Sequence, residues 1–200
     1  MNNFETEKDF TEYKKYFLEQ NSKLNLISKK EEEFLFEKHI YDSLAIKLFF
    51  NQYNFIPETL LDIGTGGGFP SVPIAIEYPQ ISVTGLDSIG KKINAVNSIC
   101  NSLKLKNIEL INDRAENIKD KTFDVVTSRA VGRIDKLVKY AYPLLKMNGY
   151  IVLYKSKTSE EEMDEAISTI RKYHLKIKPE IIYELPLEEK YIRKLIILQK

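Results

Sequence analysis

The chain has 200 residues, of which 30 are basic and 29 acidic, and a single cysteine, Cys100. This length is enough to bury a hydrophobic core in one domain with an extension, and a lone cysteine excludes an internal disulfide. No apolar run approaches the roughly 20 residues that span a bilayer, and the acidic N-terminus (MNNFETEKDFTEYKK) is unlike a signal peptide, so we expect a soluble cytoplasmic protein.

The first quarter of the chain has the pattern of two helices. Aromatic residues recur at helical spacing within Phe4–Leu18, at Phe10, Tyr13 and Phe17, and a second helical pattern covers Glu31–Phe50. These residues are predicted to form a helical extension lying against the main domain.

After Pro57 the pattern changes to short β-branched runs alternating with amphipathic segments, which is typical of a parallel sheet covered on both faces. The last two strands are separated by about eight residues, too few for a crossover helix, so they are predicted to form an antiparallel hairpin. Strands are predicted at Leu60–Ile63, Ile81–Leu86, Ile108–Ile111, Val125–Thr127, Tyr150–Tyr154, Lys176–Tyr183 and Ile192–Leu198, and helices at Val72–Glu77, Lys91–Leu103, near Ala115, and at Asp135–Met147 before Gly149.

Five parallel strands followed by a hairpin form the pattern of class I methyltransferases. The predicted fold class is therefore α/β with a Rossmann-like sheet. Residues 1–56 are assigned to the N-terminal helical extension and residues 57–200 to a single methyltransferase domain.

The first predicted strand leads into LLDIGTGGGFP, Leu60 to Pro70, where four of five consecutive positions are glycine. Glycine is used where φ must be positive or where another molecule approaches the backbone closely. In open α/β sheets ligands bind beyond the carboxyl ends of the strands. The loop is therefore predicted to hold a ligand.

Two nucleotide-binding patterns fit this region poorly. The dinucleotide pattern GxGxxG would have glycine where Phe69 stands. The segment Gly85–Lys92 matches the phosphate-binding pattern GxxxxGK[ST] at all positions but the last, where Lys92 replaces the magnesium-binding hydroxyl. Asp87 would also bring a carboxylate to the phosphates.

S-adenosylmethionine fits better. Its loop pattern, an acid, one residue and GxGxG, is present as Asp62-Ile63-Gly64-Thr65-Gly66-Gly67-Gly68. Asp87 ends the second strand about 20 residues later, and a carboxylate can accept hydrogen bonds from both ribose hydroxyls. Its alternative role is a helix N-cap with Ser88. Asp113-Arg114-Ala115-Glu116, after the third strand, is where this class contacts adenine.

With these motifs the chain resembles the RsmG family, also called glucose-inhibited division protein B, the guanine-N7 methyltransferases of 16S ribosomal RNA. The resemblance implies a cofactor site with Gly64, Phe69, Ala115 and Glu116, and with Arg129 near the reaction centre. It rests on DIGTGGGFPSVPIAI (Asp62–Ile76), LDSIGKK (Leu86–Lys92), RAE (Arg114–Glu116), SRA (Ser128–Ala130), LNLIS (Leu24–Ser28) and KHIYDSL (Lys38–Leu44).

Methylation of guanine N7 uses a ring lone pair, so no proton must be removed and no general base is expected. Cys100 lies within a predicted helix and is interpreted as a structural thiol, and His39 and His174 make no metal site. Arg129 could bind guanine O6, a phosphate or the cofactor carboxylate. Its alternative role is an ion pair with Asp62 or Glu116.

The net charge is near zero, but basic residues cluster. Ser88–Asn107 contains four lysines and no acid, and Arg129–Lys157 contains seven basic residues and one acid. These clusters are either an RNA-binding surface or ordinary solvated helix faces. His39 lies three residues before Asp42, so both face one side of a helix and could contact RNA or the main domain. The residues predicted to bind RNA are His39, Lys91, Lys92, Arg133 and Lys155.

The expected partner is 16S rRNA or the small ribosomal subunit, with no metal and no membrane, and the protein is expected to be a monomer. Two alternatives stay open: a class I methyltransferase for a small molecule or protein, and a non-catalytic RNA-binding module on the same fold.

Overall fold

The computed structural model, which describes residues 4–6, 8–129 and 132–200, is built on one eight-stranded mixed sheet. The strand order is β3-β2-β1-β4-β5-β8-β6, and β7 pairs with β8. The strands are β1 (Thr59–Ile63), β2 (Ser82–Asp87), β3 (Ile108–Asn112), β4 (Phe123–Arg129), β5 (Leu145–Ser156), β6 (Lys176–Ile177), β7 (Ile181–Leu185) and β8 (Tyr191–Gln199).

The first five strands are parallel, and β8 runs antiparallel to β5, β6 and β7. The predicted parallel sheet with a C-terminal antiparallel hairpin is therefore confirmed. The strand order reverses between β1 and β4, where Asp62 pairs with both Gly85 and Thr127. In such sheets this reversal opens a crevice at the carboxyl ends of the strands.

Helices cover both faces of the sheet. Because successive strand residues point to opposite faces, β1 sends Leu60 to one face and Leu61 to the other. Leu60 packs in a core with the helices Ile46–Tyr53 and Ser71–Glu77, and Leu61 packs in a core with the helices Ile134–Ala141 and Glu160–Lys172. The helices are α1 (Thr11–Leu24), α2 (Asp42–Leu44), α3 (Ile46–Tyr53), α4 (Ser71–Glu77), α5 (Gly90–Ser102), α6 (Ile134–Ala141) and α7 (Glu160–Lys172), with 3-10 turns at Lys29–Phe34, Ala115–Asn117 and Tyr142–Leu144 and a π-helix at Leu35–Tyr41.

The N-terminal segment packs on the helices beside the glycine loop. Tyr13 and Phe17 of α1 are buried in one cluster with Phe69 of the loop and with Ile99 and Cys100 of α5. The division at residue 56 stays a prediction, but these contacts place α1 against the predicted ligand site.

Several predicted helix bounds were wrong. Helix α1 begins at Thr11 rather than Phe4, and α6 ends at Ala141 rather than Met147. Pro143, which has no backbone N–H, follows α6 at once in a 3-10 turn, and β5 begins at Leu145. Helix α7 was not predicted, although Ser159 followed by three glutamates is a recognisable helix start. Among the helices of residues 4–6, 8–129 and 132–200, none combines the length and the hydrophobicity of a membrane span.

Candidate functional site

The glycine loop is tied to the neighbouring strand by its backbone. Gly64 and Thr65 donate their backbone N–H groups to the Leu86 carbonyl oxygen, at 2.8 and 2.9 Å. Gly66 has a φ of +56°, and among the described residues a Cβ atom there would have only the Gly64 carbonyl oxygen within 4 Å, at 3.9 Å. Gly66 therefore presents bare backbone to open space.

The next two glycines serve packing instead. A Cβ atom at Gly68 would lie 2.8 Å from Val72 Cγ2, and one at Gly67 would lie 3.3 Å from Leu26 Cβ. A side chain at either position would meet the protein interior, while the backbone of Gly67 lines the larger cavity. Gly68, predicted as a cofactor-binding residue, thus shapes the loop by letting α4 approach it closely.

Asp87 connects the glycine loop to the start of α5. Its Oδ2 accepts the Gly66 N–H and its Oδ1 accepts the Ile89 N–H, each at 2.9 Å. The N-cap residue of α5 is Ile89, and no side chain caps the helix, so the alternative role of Asp87 as an N-cap with Ser88 is wrong. Each carboxylate oxygen has two lone pairs, so Asp87 can accept further hydrogen bonds from a ligand.

Two cavities meet at Gly64 and Asp87. One has a volume of about 300 Å³ and extends to Asp113–Glu116, the predicted adenine contact. The other, of about 430 Å³, extends past Gly66 to Phe69, Lys92 and Arg129. Together they form an elongated site with bare backbone at its middle, which suits a nucleoside carrying an amino-acid tail. The structure thus brings together the predicted residues Gly64, Gly66, Phe69, Asp87, Ala115, Glu116 and Arg129.

Asp62 lies beneath the loop and lines neither cavity. It is fully buried, and the Thr127 hydroxyl donates to its Oδ1 at 3.1 Å. Burial raises the pKa of Asp62 to about 7. Its observed contacts are structural.

Arg129, at the end of β4, belongs to a buried ion-pair cluster. Its Nη1 donates to Asp42 Oδ2 at 3.0 Å and to the Lys38 carbonyl oxygen at 3.1 Å. The guanidinium also lies over the Phe69 ring, 5.1 Å from its centre. The ion-pair partner is Asp42, and neither Asp62 nor Glu116, the two partners considered from the sequence.

Asp42 is the centre of this cluster. Its Oδ1 accepts the Tyr183 hydroxyl at 2.6 Å, and Arg193 donates to both carboxylate oxygens, at 3.3 and 3.4 Å. Burial alone would raise the pKa of Asp42, but the charges of Arg193 and Arg129 outweigh burial and hold it below its ordinary value. Sequence analysis did not identify Tyr183 and Arg193 as members of this cluster. The KHIYDSL motif and the three-residue spacing of His39 and Asp42 were the only signals.

His39, in the π-helix, is held as a neutral imidazole. Its Nδ1 lies 3.0 Å from Arg129 Nη2. Because an arginine nitrogen can only donate, Nδ1 accepts and the imidazole proton is on Nε2. Burial, followed by the charge of Arg129, lowers the pKa of His39 to about 4.

Replacing His39 with glutamine is expected to flatten the acid side of the stability profile. In the unfolded chain the imidazole titrates near 6.5, and in the folded protein near 4. Between these values only the unfolded state binds the proton, so stability is complete above pH 6.5 and is lost as pH falls towards 4. Glutamine keeps an acceptor for Arg129 without titrating. Urea unfolding at pH 7 and pH 4.5 should show the wild type losing on the order of 2–3 kcal/mol more than His39→Gln. Equal losses would contradict a neutral buried His39.

The lysines and arginine predicted to bind RNA lie in different environments. Lys91 is exposed, and Lys92 lines the larger of the two cavities. Lys155 donates to Glu162 at 2.7 Å and to the Gly132 carbonyl oxygen at 3.0 Å, and Arg133 pairs with Glu165. Lys155 therefore ties the end of β5 to α7 and to the residue before Arg133, and Arg133 ties the start of α6 to α7. Ala130 of the SRA motif lies outside the described residues.

Cys100 is buried within α5, as predicted for a structural thiol. Burial raises the pKa of its thiol to about 12. At neutral pH the thiolate needed for nucleophilic attack is therefore scarcely present.

Comparison with protein families gives a match over most of the chain. The model of the GidB family, described as rRNA small subunit methyltransferase G, matches residues 6–181. A ribosomal RNA small subunit methyltransferase G of Lysinibacillus sphaericus is 38% identical over 192 residues, covering 92% of this chain and 80% of the relative. The protein of the same name from Staphylococcus aureus (strain Newman) is 37% identical over 201 residues, covering 98% and 83%.

Solved structures with a similar fold are more distant in sequence. A methyltransferase from Pyrococcus furiosus has a TM-score of 0.64 at 19% identity, covering 79% of this chain and 82% of that one. M. jannaschii TYW2 in complex with AdoMet has a TM-score of 0.57 at 16% identity, covering 71% and 67%. These structures support the class I methyltransferase fold.

Proposed function

The chain belongs to the GidB family of rRNA small subunit methyltransferases G, and from this premise we propose that it transfers a methyl group from S-adenosylmethionine to N7 of a guanine in 16S rRNA. The observation that carries the proposal is the bare backbone at Gly66 in the larger cavity, which Arg129 also lines and which meets the smaller cavity at Gly64 and Asp87. The Asp87 carboxylate suits the ribose of the cofactor, and the unobstructed loop suits its amino-acid tail. The nearby Arg129 suits an electron-rich substrate.

The residues of the two cavities fit the cofactor. Asp87 would accept the ribose hydroxyls, and Ala115 and Glu116 would contact adenine at the far end of the smaller cavity. Gly64, Gly66 and Phe69 would contact the amino-acid tail in the larger cavity. When bound, S-adenosylmethionine supplies an electrophilic methyl group on a sulfonium.

The neutral His39 supports attack by a lone pair that has no proton to lose. Its Nδ1 is occupied by Arg129 and its Nε2 carries hydrogen, so His39 has no free lone pair with which to act as a base. The residues around Arg129 can therefore donate hydrogen bonds and orient a base. For N7 of guanine, orientation and exclusion of water are the expected sources of rate enhancement.

Replacing Asp87 with asparagine is expected to weaken cofactor binding by roughly 10- to 100-fold, because hydrogen bonds to a charged group stabilise by about 1.5–3 kcal/mol. In the wild type, one carboxylate oxygen accepts the Gly66 N–H and the other accepts the Ile89 N–H. Asparagine has only one oxygen to accept both. Calorimetric titration with S-adenosylmethionine measures the loss. Glu109→Gln, which removes an exposed carboxylate paired with Lys121, is the matched control and should bind normally. A wild-type dissociation constant in Asp87→Asn would remove Asp87 from the ribose site.

The function itself is tested by mapping N7-methylguanine in small-subunit RNA from cells with and without the gene. The modification should disappear from one guanine in the deletion strain and return with the wild-type gene. Purified protein should also restore it to subunits from the deletion strain. Methylation at an exocyclic amine, or an unchanged map, would contradict the proposal.

The partner under this proposal is the small ribosomal subunit or its RNA, which would place the protein in the cytoplasm, acting as a monomer. Lys91 and Lys92 at the start of α5 are proposed to contact the phosphate backbone of the RNA. Arg133 and Lys155 would join them if their ion pairs with Glu165 and Glu162 open when RNA binds. Such contacts add affinity without sequence specificity and weaken with salt.

A further inference from the structure

A third cavity lies beside the cofactor site, between the π-helix and the β7–β8 hairpin. This hairpin cavity has a volume of about 170 Å³ and shares His39 and Arg129 with the larger cofactor cavity. Its wall on the hairpin side is formed by Leu185, Tyr191 and Arg193. A ligand in the hairpin cavity would therefore lie next to the cofactor.

Beyond Tyr191 the surface continues into an open cleft. This hairpin cleft, of about 320 Å³, is lined by Ser156, Lys157, Thr158, Lys190, Tyr191 and Ile192. Tyr191 lines both the cavity and the cleft. The two form one path leading from the cofactor site to the outside of the hairpin.

Tyr191 offers an aromatic surface at the junction. It is 47% exposed although it is a large hydrophobic residue, and it pairs with Leu185 of β7, which is buried. A supported but uncovered ring is suited to stacking on an unpaired base. Stacking of this kind is tolerant of base identity and is common where proteins hold single-stranded RNA.

The charges along the path favour a polyanion. The hairpin cavity is lined by three basic residues, Lys38, Arg129 and Arg193, and by two acidic residues, Glu31 and Asp42. The cleft adds Lys157 and Lys190, and within the described part of the chain no carboxylate lines it. Five positive and two negative charges leave a net charge of +3 along the path. This net positive charge suits the phosphates of RNA. RNA also has bases that can stack on the exposed Tyr191 ring, whereas the carboxylates of an acidic peptide would match the charge alone.

A buried donor also points to a ligand. His39 is 8% exposed, and among the described residues its Nε2 has no hydrogen-bond partner. Glu31 Oε1 is 3.8 Å away, beyond hydrogen-bond distance. Because Nε2 carries the imidazole proton, it can donate to an acceptor such as guanine O6 while N7 stays free.

We infer that the hairpin cavity receives the target guanosine of the RNA. The base of this guanosine stacks on Tyr191 at the entrance of the cavity, and Lys157 and Lys190 contact RNA phosphates in the cleft. The inference rests on the proposed function. An enzyme that modifies a base must take it out of its stack, and a pocket beside the cofactor with an aromatic wall provides a place for it.

The test compares Tyr191→Leu, which removes the ring and keeps an apolar side chain, with Tyr191→Phe, which keeps the ring. With unmethylated small subunits as substrate, Tyr191→Leu is expected to raise KM about tenfold and to change kcat less than threefold, a loss in the range of one stacked base. Tyr191→Phe should recover most of this loss. The control is Ile177→Ala, at a β6 residue that is 51% exposed and lines neither the cavity nor the cleft. Cofactor affinity should be equal in all four proteins.

A second measurement does not depend on a truncated side chain. A photo-crosslinking amino acid placed at position 191 should crosslink to rRNA at or next to the methylated guanine. A crosslink to a ribosomal protein, or a wild-type KM in Tyr191→Leu, would overturn the inference while leaving the proposed function intact. If the wild type itself fails to methylate the subunits, the proposed function fails first.

Discussion

Replacing Arg129 with alanine is expected to lower the rate of methylation by about 100-fold or more while the protein stays folded, the size of effect seen when one preorganised donor is removed from a reaction site. Arg129 lines both the cofactor cavity and the hairpin cavity. Its side chain is only 12% exposed and is fixed by Asp42, His39 and the Lys38 carbonyl oxygen. A donor fixed in this way needs no reorganisation when substrate binds.

The cost in stability should be smaller than the cost in rate. Asp42 keeps Arg193 and the Tyr183 hydroxyl after Arg129 is removed, so its buried charge stays partnered. We expect a loss of about 1–3 kcal/mol, the cost of one hydrogen bond to a charged group. Activity should be measured at a temperature where thermal unfolding shows the variant to be fully folded.

Asp42→Asn is the matched control for this experiment. It weakens the same ion pair from the other side but keeps Arg129 present. If Arg129 acts on the substrate or cofactor, Arg129→Ala will lose far more activity than Asp42→Asn at equal stability. Losses of activity that simply follow the losses of stability in both variants would show that Arg129 only holds the π-helix to the sheet.

Replacing Gly66 with glutamate is expected to abolish binding of S-adenosylmethionine. The open space at Gly66 would be filled by the new side chain, whose carboxylate would also lie near that of Asp87. The positive φ of +56° adds backbone strain of about 1–2 kcal/mol for a residue with a Cβ atom, which reduces stability without explaining a loss of binding.

Gly132→Glu separates strain from obstruction. Gly132 has a similar φ of +64°, and no described atom lies within 4 Å of its Cβ position. It lines neither cofactor cavity. Calorimetry should show normal cofactor affinity for Gly132→Glu and none for Gly66→Glu. Unchanged affinity in Gly66→Glu would mean that the cofactor does not lie against this loop.

The parts of the site that sequence could predict are local. Asp62 to Phe69 and Asp87 belong to short motifs at strand ends, and parallel strands bring their carboxyl ends to one edge of a sheet. The five parallel strands were predictable for a related reason, since each is a short β-branched run between helices. Periodicity was less informative at helix ends, where Pro143 and the early start of β5 decided the outcome.

The Asp42 cluster could not be predicted in the same way. Asp42 and Tyr183 are 141 positions apart, and Asp42 and Arg129 are 87 apart. No local pattern specifies which carboxylate an arginine will meet at such distances. The nearer acids Asp62 and Glu116 were therefore plausible from sequence, and only the packing of the π-helix and α2 against the sheet brings Asp42 to Arg129.

The contact of the N-terminal segment with the glycine loop has a consequence for how the protein can vary. A Cβ atom at Gly67 would meet Leu26 and Phe17, so the turn proposed to bind the cofactor is backed by side chains of α1 and of the residues that follow it. A ligand that binds this turn stabilises the folded state that contains it, because the ligand does not bind the unfolded chain. That folded state includes the packing of Leu26 and Phe17 against the turn, so the ligand stabilises this packing as well. The helices before the sheet and the turn after its first strand must therefore change together, and a chimera that exchanged one without the other would lose the cofactor before it lost the fold.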